Sequence, residues 1–259
     1  MKFNFKGKTA LITGGTHGIG LSCAEQLLKL GAKVITFSRD IKKIRQSKIK
    51  FKKYKNNFYV SKGDVLDENF LLDFSKLLIK KFKNIDILIH NVGGGGRWGK
   101  PNVDKTEMNV WEEVYEKNNN GVILFNKIFV KLMKKKNWGR VIAIGSTNGS
   151  EVNFGDRPWF TAAKAAQVAI IKNYSKIKQF TNSGITFNTI SPGPIDIKGT
   201  GWDQKNNNKM NLWVKENIPL NRLGKPEEVA NLAIFLASDF ASYINGCNIK
   251  IDGGKSNSI

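Results

Sequence analysis

Short apolar runs alternate with longer segments in which apolar residues return every three or four positions, and this rhythm persists from Thr9 to Ile251. The runs Thr9–Thr13, Lys33–Ser38, Asn57–Ser61, Asp86–His90, Arg140–Ile144, Ile185–Ile190 and Asn248–Ile251 read as strands. Between them the period lengthens to that of a helix. Ile19, Cys23, Leu27 and Leu30 share one face, and Gly31 supplies a stop. Pro226, followed by Glu227 and Glu228, opens another helix with acids at its positive end. Apolar strands that alternate with helices specify a parallel sheet covered on both faces, with ligands bound outside the carboxyl ends of the strands. The expected fold is α/β: a three-layer, doubly wound parallel sheet (Rossmann fold) of about seven strands. One domain over residues 1–259 is expected, without repeats or low-complexity linkers.

The most informative junction is the first. Residues 8–20, Lys-Thr-Ala-Leu-Ile-Thr-Gly-Gly-Thr-His-Gly-Ile-Gly, join strand to turn to helix. Gly14, Gly18 and Gly20 stand where the backbone bends, approaches a ligand and lets the helix lie against its strand. Thr16, His17 and Ile19 complete the turn. A helix beginning near Gly18 aims unpaired N–H groups and its positive dipole end outward, which suits a pyrophosphate. On the glycines alone a plain α/β turn is the alternative; the second strand at βαβ distance favours a dinucleotide.

Composition narrows the classes. At 41% hydrophobic residues the chain can build a large core. The formal charge of +21 raises nucleic acid as a ligand, but most of it is lysine scattered over many helices. Arginine stands only at Arg39, Arg45, Arg97, Arg140, Arg157 and Arg222. No specific nucleic-acid partner is expected, only weak, salt-sensitive adhesion to polyanions. No leader-like segment and no run of eighteen apolar residues occurs, so a cytoplasmic protein without a membrane partner is expected. Cys23 and Cys247 lack metal-type neighbours; they read as small apolar residues, and no metal is expected.

The remaining chemistry sits at strand ends. After the second strand, Ser38 and Arg39 offer a hydroxyl and a guanidinium where NAD would call for a carboxylate. That pair suits a 2′-phosphate, favouring NADP(H) over NAD(H), with a surface arginine as the other reading. Asp64 and Val65 follow the third strand, and Asp64 equally suits a turn cap. Asn91, Val92 and Gly93 follow the fourth, and the glycines at 93–96 lead into Arg97 and Trp98 as a flexible substrate entrance or an ordinary mobile loop. The fifth strand ends at Ser146, and Phe160 and Lys164 lie four apart on one helix face.

Taken in order, Thr13-Gly14-x-x-x-Gly18-Ile19-Gly20, Asp64-Val65, His90-Asn91-Val92-Gly93, Asn118, Ser146, Lys164, Ser191-Pro192-Gly193-Pro194-Ile195 and Asn245 to Gly254 resemble the short-chain dehydrogenase/reductase family over nearly the whole chain. The resemblance implies interconversion of a carbonyl and a secondary alcohol with a nicotinamide cofactor. It gives Asn118 a backbone kink and a relay water, Ser146 the carbonyl, Lys164 the nicotinamide ribose, and Ile195, after Pro192 and Gly193, the carboxamide. His17 stands where many NADP-preferring relatives carry a basic residue. His90, in an asparagine position, reads as a satisfied sheet-end residue.

Two departures matter. The family's acid/base tyrosine is Phe160 here, and its threonine after the Pro-Gly pair is Ile197. A phenyl ring keeps the packing and loses the acid, a deficit of about 10²–10⁴ in rate. An enzyme using Ser146, Lys164 or water for the alkoxide, a nucleotide-binding protein without catalysis, and a deliberate substitution all remain open. Arg97, Trp98, Asn148, Arg157, Trp159 and Trp202 are the candidate substrate contacts, and the arginines suit an anionic small molecule. Residues 196–218 resemble the family's variable substrate lid. Pairing through the helix after Ser146, with its Ala162, Ala163, Ala165 and Ala166, implies a homodimer or homotetramer.

Overall fold

The computed structural model describes residues 2–95, 103–152, 157–200, 202 and 208–258. Strands β1 (Thr9–Thr13), β2 (Lys33–Ser38), β3 (Phe58–Lys62), β4 (Ile87–His90), β5 (Gly139–Ile144), β6 (Ile185–Pro192) and β7 (Asn248–Ile251) pair in parallel in the order β3-β2-β1-β4-β5-β6-β7. The helices among the described residues are α1 (Gly18–Lys29), α2 (Ile41–Lys50), α3 (Glu68–Phe82), α4 (Met108–Phe125), α5 (Lys131–Lys135), α6 (Pro158–Tyr174), α7 (Lys178–Thr181), α8 (Asn208–Asn217) and α9 (Pro226–Ala237). All seven expected strands are present. β6 continues two residues past Ile190 because Ser191 and Pro192 still pair with Lys250 and Ile251. β3 starts one residue late, since Asn57 lends only its carbonyl, to Val34 N.

Period-two alternation sorts the core into two layers. Ala10, Ile12, Val34, Ile87, Ile89 and Ile142 face α1 and α9, where Cys23, Leu27, Val229 and Ala233 meet them. Leu11, Ile35, Phe37, Leu88 and Val141 face the other way, toward Leu71 and Phe74 of α3, Phe125 of α4 and Ile171 of α6. Phe37 meets Phe70, Phe74 and Phe125 edge-on with ring centroids 5.2, 5.5 and 6.1 Å away. Such pairs add about 0.5–1.5 kcal/mol each beyond burial of their area. Arg140, though charged, is only 2% exposed. It anchors the amino end of β5, donating to the carbonyls of Gly139, Gly184 and Ser238 and to Asp239 Oδ1 at 3.1 Å. Among the described residues no helix is long and apolar enough to cross a membrane.

The strand order fixes where a ligand fits. β1 lies between β2 and β4, so the chain leaves the β1–β4 pair in opposite directions and a crevice opens at their carboxyl ends. Asn91, just past β4, closes the two ends together. Its backbone N–H and that of Val92 both donate to Thr13 Oγ1 at 2.9 Å, while Asn91 Nδ2 donates to the carbonyls of Thr13 and Gly14.

Candidate functional site

A cleft of about 460 Å³ lies at this point. Its floor is the glycine turn. Gly14 and Gly18 take φ of +68° and +52°, a region that L side chains rarely adopt. A Cβ on Gly20 would stand 2.5 Å from Asn91 Nδ2 and 2.6 Å from the Gly14 carbonyl, so bare backbone is required there. Gly15 N donates to Thr36 Oγ1 at 2.7 Å, fixing the turn to β2, and Thr16 is buried within it. His17 leads into α1 with extended backbone, and Gly18 and Ile19 open the helix at the cleft floor.

The opposite wall comes from β5, α6 and the segment after β6. Ser146 Oγ accepts from Asn148 N at 3.2 Å, and both residues line the cleft. Phe160 and Lys164, one helical turn apart, line it too. Lys164 is 3% exposed; its Nζ donates to the Ile144 carbonyl at 2.9 Å and to Gln167 Oε1 at 3.0 Å. Burial pushes this ammonium down to about 7. Gln167 Nε2 in turn donates to the Asn118 carbonyl at 2.9 Å. The Asn118 side chain holds the glycine loop, accepting from Gly94 N at 3.1 Å and donating to Gly94 O at 2.9 Å. A Cβ on Gly93 would sit 2.6 Å from Asn118 Oδ1 and 2.9 Å from Lys164 Nζ. Gly93, Asn118 and Lys164 therefore converge. Pro192, Gly193 and Ile195 complete this wall.

A second group lies beyond the turn, at the ends of β2 and β3. Ser38 Oγ accepts from Asp40 N, and Asp40 caps α2 by accepting from Lys43 N. Arg39 Nη1 stands 3.4 Å from Asp64 Oδ2, with both side chains partly in solvent. Asp64 Oδ1 accepts from Leu66 N, the turn-cap geometry, and Val65 packs against Gly121. Lys117 faces the same place: burial and then Arg39 lower its affinity for a proton. His90 is buried, paired with Asn126 Oδ1 at 2.9 Å and pushed by burial down to about 4, so it stays neutral.

Several expectations need correcting. Trp159 does not border the cleft: it is 2% exposed, packs on Val114 and Ala163, and donates from Nε1 to the Gly95 carbonyl at 2.9 Å. Adjacent helical residues point about 100° apart, so Phe160 in the cleft sends Trp159 away from it. α4 runs through Asn118, and the irregular turn of this segment falls at Asn126–Val130. The Asn118 carbonyl accepts from Gln167 Nε2. Ile197 covers Gly18 as an apolar lid, and a hydroxyl is nonetheless near, because Thr200 Oγ1 donates to Ile197 O at 2.6 Å and lines the cleft. Arg157 and Trp202 do line the cleft, Trp202 packing on Trp213 at 5.0 Å. Arg97 and Trp98 lie outside the described residues, as do 201 and 203–207 of the expected lid. Gln167, Thr200 and Lys255 have no short-range signal in the sequence that marks them as site residues.

The chain matches a family model described as enoyl-(acyl carrier protein) reductase over residues 14–256. It is 32% identical to a 3-oxoacyl-[acyl-carrier-protein] reductase of Rickettsia typhi, covering 97% of this chain and 98% of the relative. A protein of the same description from Buchnera aphidicola is 34% identical, covering 95% and 96%. Among solved structures, a putative gluconate dehydrogenase from Agrobacterium tumefaciens superposes with a TM-score of 0.88 at 26% identity, over the whole of both chains. An NADPH-dependent reductase involved in bacilysin biosynthesis gives 0.86 at 28% identity, covering 97% and 99%.

Proposed function

The chain belongs to the short-chain dehydrogenase/reductase family, and from that premise we propose that it is an NADP(H)-dependent oxidoreductase interconverting a carbonyl and a secondary alcohol. The observation that carries the reading is the convergence of Ser146, Phe160 and Lys164 on one wall of a cleft whose floor is the glycine turn. The relatives described as 3-oxoacyl reductases and as an NADPH-dependent reductase support the reaction class.

A dinucleotide fits the residues present. The N–H groups at the start of α1 suit its pyrophosphate, Arg39 its 2′-phosphate, Asp64 and Val65 its adenine, and Lys164 its nicotinamide ribose. Gly93 sits so close to Asn118 and Lys164 that a Cβ there would collide with both, so this part of the cleft wall is bare backbone. When bound, the dinucleotide supplies the hydride. Ser146 Oγ donates to the substrate oxygen and holds the carbonyl, while Asn118 and Gln167 keep the Lys164 ammonium in place. With Phe160 offering no hydroxyl, the oxygen takes its proton from Lys164 or from water.

Calorimetric titration tests the reading: NADPH should bind at about micromolar Kd and more tightly than NADH, and uptake of neither nucleotide would overturn it. Arg39→Asp should lower NADPH affinity by about tenfold or more and leave NADH binding equal or improved. An unchanged preference removes Arg39 from the cofactor assignment. The same reading extends to assembly as a homodimer or homotetramer through α4 and α6. Light scattering should give two or four times 29.0 kDa, and a monomer would reject it.

A further inference from the structure

An amine that keeps its lone pair near neutral pH is a nucleophile toward carbonyl carbon, and an ordinary lysine is denied that role by its proton. Lys164 is arranged otherwise. It lines the cleft together with Ile144 and Gly93, while the fully buried Gln167 holds its Nζ from the core side. Two acceptors are supplied, Ile144 O at 2.9 Å and Gln167 Oε1 at 3.0 Å, and they match the two N–H bonds of a neutral amine. The remaining tetrahedral position is left for the lone pair. A Cβ on Gly93 would stand 2.9 Å from Nζ, so on that side the amine meets bare backbone of the cleft wall.

Nothing described on this wall restores the proton. No Asp or Glu lines the cleft among the described residues, and its other titratable groups are the basic His17, Arg157 and Lys255. The groups nearest Nζ on β5, α4 and α6, namely Ile144 O, Asn118 and Gln167, are uncharged. Burial without a carboxylate pushes the ammonium down to about 7. Phe160, one turn earlier on the same wall, offers no proton either.

We infer that Lys164 is an imine-forming lysine: a small aldehyde or ketone that enters the cleft without nucleotide condenses with its Nζ. The lone pair forms the C–N bond while the carbonyl π pair moves to oxygen, and one N–H proton passes through water to that oxygen, giving a carbinolamine. The second N–H proton then leaves with the hydroxyl as water, and C=N remains. Amine and carbonyl become imine and water, with nothing oxidised or reduced. The inference adds covalent capture to the hydride chemistry proposed above; it rests on the cleft admitting a carbonyl and does not need the nucleotide.

Reductive trapping tests it. Nucleotide-free protein is incubated with acetaldehyde or acetoacetate and sodium cyanoborohydride, which fixes an imine as a secondary amine, and the alkylated lysines are mapped by peptide mass spectrometry. At about pH 7.5 at least one probe should modify Lys164 about tenfold or more faster than the exposed lysines. The rate at Lys164 should level off above about 7, while theirs climbs toward about 10.4. Gln167→Glu sets a carboxylate beside Nζ, favours the ammonium, and should move that plateau upward by about one pH unit or more. The parent profile decides the matter where urea unfolding shows that this variant does not fold. Modification of Lys164 no faster than that of exposed lysines with both probes, a rate that tracks theirs, or a plateau unmoved in folded Gln167→Glu would each overturn the inference. Saturating NADPH should protect Lys164. Undiminished trapping with NADPH bound would remove Lys164 from the ribose and keep the imine, and protein that binds no NADPH yet still condenses would sink the nucleotide reading alone.

Discussion

Phe160→Tyr is expected to raise the rate of NADPH-driven carbonyl reduction by about 10²–10⁴, with NADPH affinity unchanged within about twofold. The ring lines the cleft with Ser146 on one side and Lys164 one helical turn further on, so a hydroxyl added at its tip enters the chamber rather than the core. Its environment would also tune it. A lysine ammonium nearby favours the phenolate and lowers the pKa of the new group toward the working range of a general acid. The gain should therefore carry a pH dependence of its own, set by the added hydroxyl. Single-turnover oxidation of bound NADPH across a panel of ketones measures both. If tyrosine leaves every ketone unreacted while NADPH still binds, the chain is a nucleotide-binding protein without this chemistry.

The second large effect is on stability. Lys164 is buried against a carbonyl and a side-chain amide, with no carboxylate beside it among the described residues, and its proton affinity falls to about 7. In the unfolded chain a lysine titrates near about 10.4. Between these values the unfolded state holds a proton that the native state has released, so stability rises with pH across that window. Below about 7 the full penalty of the buried charge is present, on the order of 5 kcal/mol relative to the neutral amine. Lys164→Met removes the charge and keeps the bulk. Urea unfolding of the nucleotide-free protein at about pH 6.5, 8 and 9.5 should show the parent gaining stability with pH relative to the variant, and the variant more stable at the lowest pH. Parallel pH profiles would sink this account. The same variant should lose NADPH affinity if Lys164 holds the ribose as proposed above.

The layers were legible because the central strands β1, β4 and β5 are buried on both faces while the flanking helices are apolar on one. Leu11 and Ile12, neighbours in sequence, enter opposite layers, as a period of two requires. The glycine turn was legible for a different reason: left-handed backbone and close approach exclude most residues, so the chemistry leaves its mark locally. What the sequence hid depends on contacts between distant segments. Gln167 reads as a helix polar residue until Lys164 and the Asn118 carbonyl are seen on either side of it. Lys255 is one lysine among many until Asn257 and Ser258, donating to Glu151 Oε2, are seen to fold its segment back to the cleft. Trp159 misled by adjacency, standing between two cleft residues while belonging to the contact between α4 and α6.

The tie made by Asn91 bears on how the protein comes into being. The turn that suits a pyrophosphate is clamped by a side chain 77 positions away from one of the carbonyls it holds. A nascent chain that has released only its first strand, turn and helix lacks that clamp, and a peptide copying those residues would lack it as well. Competence for nucleotide capture is thus a property of the assembled middle of the sheet, acquired only once β4 has docked beside β1 and lost when β4 detaches.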